Sequence, residues 1–175
     1  MQIVILAAGQ GKRMKTLTDK MHKSLLPINS EETFLSRLLH QLNEYEINKL
    51  VVITGYKAKS IKKIVSQFQL NTKIVYNKLY KEDTNIYSMK LALDHINNDE
   101  NTIIIEADIY LSDIALKQIY FESKKNKSTW FTRGIFKQDQ YGGILEVNNK
   151  NEVQIIDIVP KYLNKYSHFY KLLGI

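Results

Sequence analysis

Cysteine is absent from this 175-residue chain. Disulfides, thiolate zinc sites, iron–sulfur clusters and cysteine nucleophiles are excluded together. Two prolines and seven glycines are too few for a collagen-like or linker-rich chain. Arginine is scarce, three residues against 22 lysines. Readers of nucleic-acid grooves favour arginine for bidentate base contacts. The formal charge of +7 is therefore read as a solvated lysine surface, with no nucleic-acid partner. Lys, Ile and Asn together make 58 residues, the bias of an AT-rich coding sequence. No apolar run approaches the ~18–20 residues of a membrane span, so no membrane partner is expected. The opening residues Met1-Gln2-Ile3-Val4-Ile5-Leu6 lack a basic segment and run straight into a glycine turn. They do not read as a signal peptide, and a cytoplasmic location is the default expectation.

What is present suits a globular protein, with 44% hydrophobic and 25% charged residues in a length typical of one domain. Short apolar runs at residues 3–6, 50–54, 73–76 and 102–106 read as strands, the first of them as one buried on both faces. Amphipathic stretches lie between and after them. Residues 31–46 align Phe34, Leu35, Leu38, Leu39 and Leu42 behind an acidic first turn. Residues 58–68 do the same with Ile61, Ile64, Val65 and Phe68. Residues 84–97 carry Ile86, Met89, Leu91, Leu93 and Ile96, and residues 112–123 read as a fourth helix. The alternation predicts an α/β fold: a Rossmann-like three-layer sandwich around a mostly parallel sheet. After residue 126 the pattern changes. Residues 129–133, 143–147 and 153–158 read as strands of a small antiparallel arm, with a hairpin turn at 148–151. We expect a single domain, residues 1–125 forming the core and 126–175 the arm. The chain stops on an apolar run, residues 172–175, that reads as one more strand and suggests a fragment of something longer.

Ligands of parallel sheets gather beyond the C-terminal ends of the strands. Two segments fall there: Ala7-Ala8-Gly9-Gln10-Gly11-Lys12-Arg13 after the first strand, and Glu106-Ala107-Asp108 after the fourth. Small residues let backbone N–H groups approach an anion closely. Lys12, Arg13 and Lys23 add positive charge, which suits a ligand with several phosphates. A turn that merely needs glycine would look similar. Neither a P-loop nor a dinucleotide fingerprint fits: Arg13 follows Gly11-Lys12, and Met14 stands where the third glycine would fall.

In fixed register, Leu6-Ala7-Ala8-Gly9, Gly11, Arg13-Met14, Leu17-Thr18, Lys23, Leu25 and Pro27-Ile28 resemble the signature of the sugar-phosphate nucleotidyltransferase superfamily. The chain is most similar to its bacterial CTP:phosphocholine cytidylyltransferase-like members. Thr16 and His22 stand where that family usually has proline. Asn85-Ile86-Tyr87-Ser88 resembles the segment such enzymes place near the nucleotide, and the 106–108 turn resembles their metal-binding turn.

The resemblance implies a fold of the nucleotide-diphospho-sugar transferase type. It also implies transfer of a nucleoside monophosphate to a phosphomonoester with release of pyrophosphate, for decoration of cell-surface polysaccharide or lipid. On that reading Leu6, Ala7, Ala8, Gly9, Gly11, Lys12, Arg13, Asn85 and Ser88 bind the nucleotide. Lys23 and Arg13 are catalytic, and Asp108 holds Mg²⁺. The implied partners are a nucleoside triphosphate, CTP first, and a small phosphomonoester; homo-oligomer formation stays open. A choline head group would need an aromatic cage, for which Trp130 and Tyr141 are the candidates. Where the phosphocholine enzymes usually carry an acidic residue beside tryptophan, this chain has Asp139-Gln140-Tyr141-Gly142-Gly143. Two alternatives stand: a sugar-1-phosphate nucleotidyltransferase using UTP or dTTP, and a non-catalytic nucleotide-binding domain lacking a further metal ligand.

Overall fold

A computed structural model describes residues 1–82, 85–125, 127–159 and 163–173. The chain divides into two compact units, Met1–Lys127 and Ser128–Ile175.

The first unit is built on four parallel strands: β1 (Gln2–Ala7), β2 (Lys49–Thr54), β3 (Thr72–Tyr76) and β4 (Thr102–Glu106). Their order is β3-β2-β1-β4. Every residue of β1 is buried, which explains why its apolar run is continuous rather than alternating. Val4 and Leu6 turn to one face with Val51, Ile53 and Ala92. Ile3 and Ile5 turn to the other face by the two-residue period of a strand. Full burial of each such side chain contributes about 1.5–3 kcal/mol.

Three helices lie between the strands and one follows: α1 (Phe34–Leu42), α2 (Ala58–Val65), α3 (Asn85–Leu93) and α4 (Asp113–Glu122). Helix α3 packs on β1 and β2, and α1 packs on α2. The α1 residue Gln41 donates to the Leu111 carbonyl at 3.1 Å, just before α4. The result is the α/β arrangement around a parallel sheet that the alternation predicts.

Several boundaries differ from the sequence reading. Helix α1 begins at Phe34, not residue 31, because Thr33 and Ser36 form a reciprocal capping box that satisfies the first free N–H groups. Glu31 and Glu32 precede it, in a turn held by the Asn29 side chain. Of the apolar residues read for the third helix, Ile86 and Leu93 are exposed. Helix α3 instead buries Ser88 and Ala92, because its first turn meets the polar side chain of Asn77 rather than an apolar wall. Residue 84 lies outside the described residues.

The second unit holds β5 (Thr132–Ile135), β6 (Gly142–Val147), β7 (Val153–Val159) and β8 (Tyr170–Leu172) in the order β5-β8-β6-β7. All its pairings are antiparallel. Phe136, Ile144, Val159 and Phe169 make its core. The turn between β6 and β7 is clasped by the Asn148 side chain and a left-handed Asn151. The first strand of this unit starts three residues later than read, leaving Trp130 outside it. The last starts two residues earlier, and residues 174 and 175 lie outside the described residues.

Candidate active site

The order β3-β2-β1-β4 places a switch point between β1 and β4, since the chain leaves β1 toward β2 and returns to its other side. A parallel sheet opens a crevice at such a point. Leu6 pairs with Glu106 in register, so the glycine loop and the 106–108 turn leave the sheet side by side.

The glycine loop is shaped by close contacts. Gly11 adopts a left-handed φ of 66°, and a Cβ there would lie 2.9 Å from the Thr18 methyl group. Its carbonyl accepts from Met14 N–H and from the Thr18 hydroxyl, at 2.8 and 3.2 Å. Residues 12–18 form two short 3-10 turns broken at Lys15. Tyr56, after β2, holds the far end by donating its hydroxyl to the Thr18 carbonyl at 2.8 Å. Gly9 is different, for a Cβ there would meet nothing within 4 Å. Its bareness leaves open space over the backbone.

Lys23 opens a further 3-10 turn, Lys23–Leu25. Its ammonium lies 2.9 Å from Asp108 Oδ1, so residues 85 apart in sequence meet across the crevice. That Oδ1 is shielded from solvent and receives no hydrogen bond. The contact is thus an ion pair by distance, made outside hydrogen-bond directions, and it leaves the oxygen's directional valence unused. Glu106 stands next to the pair and accepts from Asn85 Nδ2 at 2.7 Å. Burial lifts its carboxyl above the ordinary range. Asp108 pushes the same way, while Lys23, Asn85 and Arg13 oppose it.

A cleft of about 200 Å³ follows, lined by the loop residues Leu6 and Gly9 to Arg13 together with Lys23, Asn85 and Glu106. A larger concavity of about 430 Å³ lies at the opposite ends of the strands, around Met1, Asn48 and Asn101. There Glu100 is already engaged by the Met1 ammonium and Asn48, and no glycine bares the backbone. The smaller cleft has the chemistry.

Most of the residues picked from the sequence therefore converge. Four of those in the first unit, Ala7, Ala8, Ser88 and Asp108, do not line the cleft; Asp108 adjoins it through Lys23. Ala7 is fully buried in β1. Ser88 is 2% exposed, and its hydroxyl accepts from Asn77 Nδ2 at 3.0 Å; it anchors α3 from inside. Ala8 contributes its carbonyl to Tyr56 N–H at 3.0 Å, bracing the loop. Trp130 and Tyr141 belong to the second unit, each about half exposed. Sequence reasoning passed over Gln10 and left Glu106 undecided. The signal for Glu106 was an acidic residue ending an otherwise apolar strand.

The described residues contain no cluster of three or more metal-ligating side chains. No helix among them is long and apolar enough to cross a membrane.

Comparison with known proteins shows the family. The nucleotidyl transferase family model matches residues 2–164. The chain belongs to that family. It is 33% identical, over 167 residues, to the choline-phosphate cytidylyltransferase of Haemophilus influenzae, covering 95% of this chain and 66% of that protein. Among solved structures it resembles the CTP:phosphocholine cytidylyltransferase of Streptococcus pneumoniae, with a TM-score of 0.75 and 25% identity. That match covers 98% of this chain and 67% of the other. A putative glucose-1-phosphate thymidylyltransferase from Bacillus anthracis shares the fold at a TM-score of 0.76 and 22% identity, over 99% of this chain and 69% of its own. The chain spans about two thirds of the length of these proteins.

Proposed function

We propose that this chain is the nucleotidyltransferase domain of an enzyme that moves CMP from CTP to a small phosphomonoester, phosphocholine or a related head group. The observation that carries the reading is the meeting of Lys23 and Asp108 at 2.9 Å, beside a bared glycine loop at the switch point of the sheet. The cytidylyltransferase relatives favour CTP over other nucleotides.

The chemistry asks little of the protein beyond placement and charge. An acceptor phosphate oxygen bonds to the α-phosphorus, and the bond from that phosphorus to the bridging oxygen breaks. The electron pair leaves with pyrophosphate. The attacking oxygen is already anionic, so no base is needed. Backbone N–H groups around Gly9 and Gly11 receive the triphosphate, and Lys12 and Arg13 neutralise the departing pyrophosphate. Lys23 lies between the α-phosphate and the incoming phosphate, where negative charge crowds most.

The residues present fit Mg²⁺. The shielded Asp108 Oδ1 lacks a hydrogen-bond donor, and Glu106 stands beside it. A hard cation of this kind is held by one or two carboxylates together with substrate phosphates. Asp108 would hold it, with Glu106 adjacent; bound there, the ion supplies charge neutralisation at the phosphate oxygens. A cytoplasmic enzyme acting on soluble metabolites fits this chemistry.

The test is pyrophosphate release with each of the four nucleoside triphosphates, Mg²⁺ and a panel of phosphomonoesters. Release with CTP and phosphocholine or a close analogue supports the reading. Release only with UTP or dTTP and a sugar 1-phosphate overturns the CTP assignment. Nucleotide binding without release across the panel overturns the enzyme.

A further inference from the structure

Behind the lysine turn lies a buried imidazole that no step above uses. His22 is fully buried and immediately precedes Lys23. Its Nδ1 accepts from the Ser24 backbone N–H at 3.1 Å, with the Ser24 hydroxyl at 2.8 Å. An amide donor at Nδ1 requires the proton to sit on Nε2. That Nε2 has no partner in hydrogen-bond geometry. The Gly9 carbonyl is near enough to favour a proton on the ring, while burial and Lys23 hold its pKa down to about 4. The ring is therefore neutral at physiological pH and lies between the glycine loop and the lysine turn.

We propose that His22 is a positioning residue that sets Lys23: its neutral, Nε2-protonated imidazole caps the Lys23–Leu25 turn and packs against the glycine loop. Histidine is an unusual cap, since Ser, Thr, Asp and Asn dominate that role. Here the longer side chain does two jobs. Nδ1 satisfies the free N–H of Ser24, and the protonated nitrogen is near the Gly9 backbone carbonyl. With the turn held, the lysine stem leaves toward Asp108 in one direction. Displacement of a reacting group by about 1 Å costs on the order of 100-fold in rate, so a loosened turn lowers turnover while leaving nucleotide affinity to Gly9, Gly11 and Arg13.

This inference rests on the functional reading for its kinetic arm only. Turnover by the parent chain tests that reading; the ratio of variant to parent tests His22. His22→Ala is expected to lower kcat about 10- to 100-fold with little change in KM for CTP. His22→Asn restores a cap acceptor and is expected to recover most of that loss. Parental kcat in His22→Ala overturns the proposal, as does an equal loss in both variants when circular dichroism shows both folded. If the alanine variant does not fold, the asparagine variant decides. A kcat above one tenth of the parent supports the cap, and a lower one at parental stability overturns it. The tautomer is read without turnover, from the imidazole ¹⁵N shifts of the labelled parent at neutral pH. A protonated Nε2 and bare Nδ1 are expected; the opposite tautomer overturns the proposal whatever the enzyme does.

Discussion

Lys23 is one lysine of 22, and its place rather than its type gives it a role. Its ammonium faces a carboxylate across the crevice, and the pair holds two loops together in the absence of substrate. Lys23→Ala is expected to cut turnover by at least about 100-fold, as for other groups stabilising charge in a transition state. The thermal midpoint should stay close to that of the parent, because a partly exposed pair contributes little to stability. Turnover near the parental value would remove Lys23 from the chemistry. Gly9 offers the complementary test. Nothing obstructs a Cβ at that position, so Gly9→Ala should fold normally yet raise KM for the nucleotide, measured by initial rates. His22 makes stability depend on pH. Its folded pKa, about 4, lies below the ordinary 6.5, so between these values the unfolded chain binds a proton that the folded chain refuses. Stability therefore rises with pH across that window and is fully present above 6.5, by roughly 3 kcal/mol for a shift of this size. Urea melts at pH 4.5 and 7 should show the parent losing more stability on acidification than His22→Asn.

Among the elements, α3 depends most on a polar clasp. Asn77, 1% exposed, ends β3 by donating its N–H to the Thr54 carbonyl at 2.7 Å. It then accepts from Leu79 N–H and donates to Ser88. Asn77→Ala leaves these groups buried without partners and should cost about 1–3 kcal/mol, visible as a lower urea midpoint. Because α3 presents Asn85 to the cleft, KM for the nucleotide should rise with it. This clasp also shows where sequence reasoning falls short. The strands were legible because β1 and β2 are buried on both faces and, like β4, read as unbroken apolar runs. Helices α1 and α2 carry a clean apolar stripe, and their cores were read correctly. Helix α3 has no such stripe. Its inward positions, Ser88 and Ala92, are small, while Ile86 and Leu93 point outward, so a pattern of apolar spacing selects the wrong face. The loop residues were legible because they stand in register with a family signature. His22 was not, because its cap and its orphaned nitrogen exist only once the loop is folded around it.

At the level of the whole molecule, the +7 charge is a field that a polyanionic substrate would feel. KM for a nucleoside triphosphate should rise several-fold between about 50 and 500 mM salt as that field is screened, and a KM indifferent to salt would confine the electrostatics to the cleft. The larger consequence comes from the ladder between β1 and β4. Leu6 lies opposite Glu106, and a parallel ladder advances about 3.3 Å for each residue. One amino acid inserted within β4 would leave every cleft residue in the sequence. It would nonetheless carry Asp108 along by that distance, or force Glu106 and its neighbours to exchange sheet faces. Such a protein would fold around a disarmed centre, its parts intact but out of phase, which makes the alignment of two plain apolar strands as much a determinant of reactivity as any charged group they deliver.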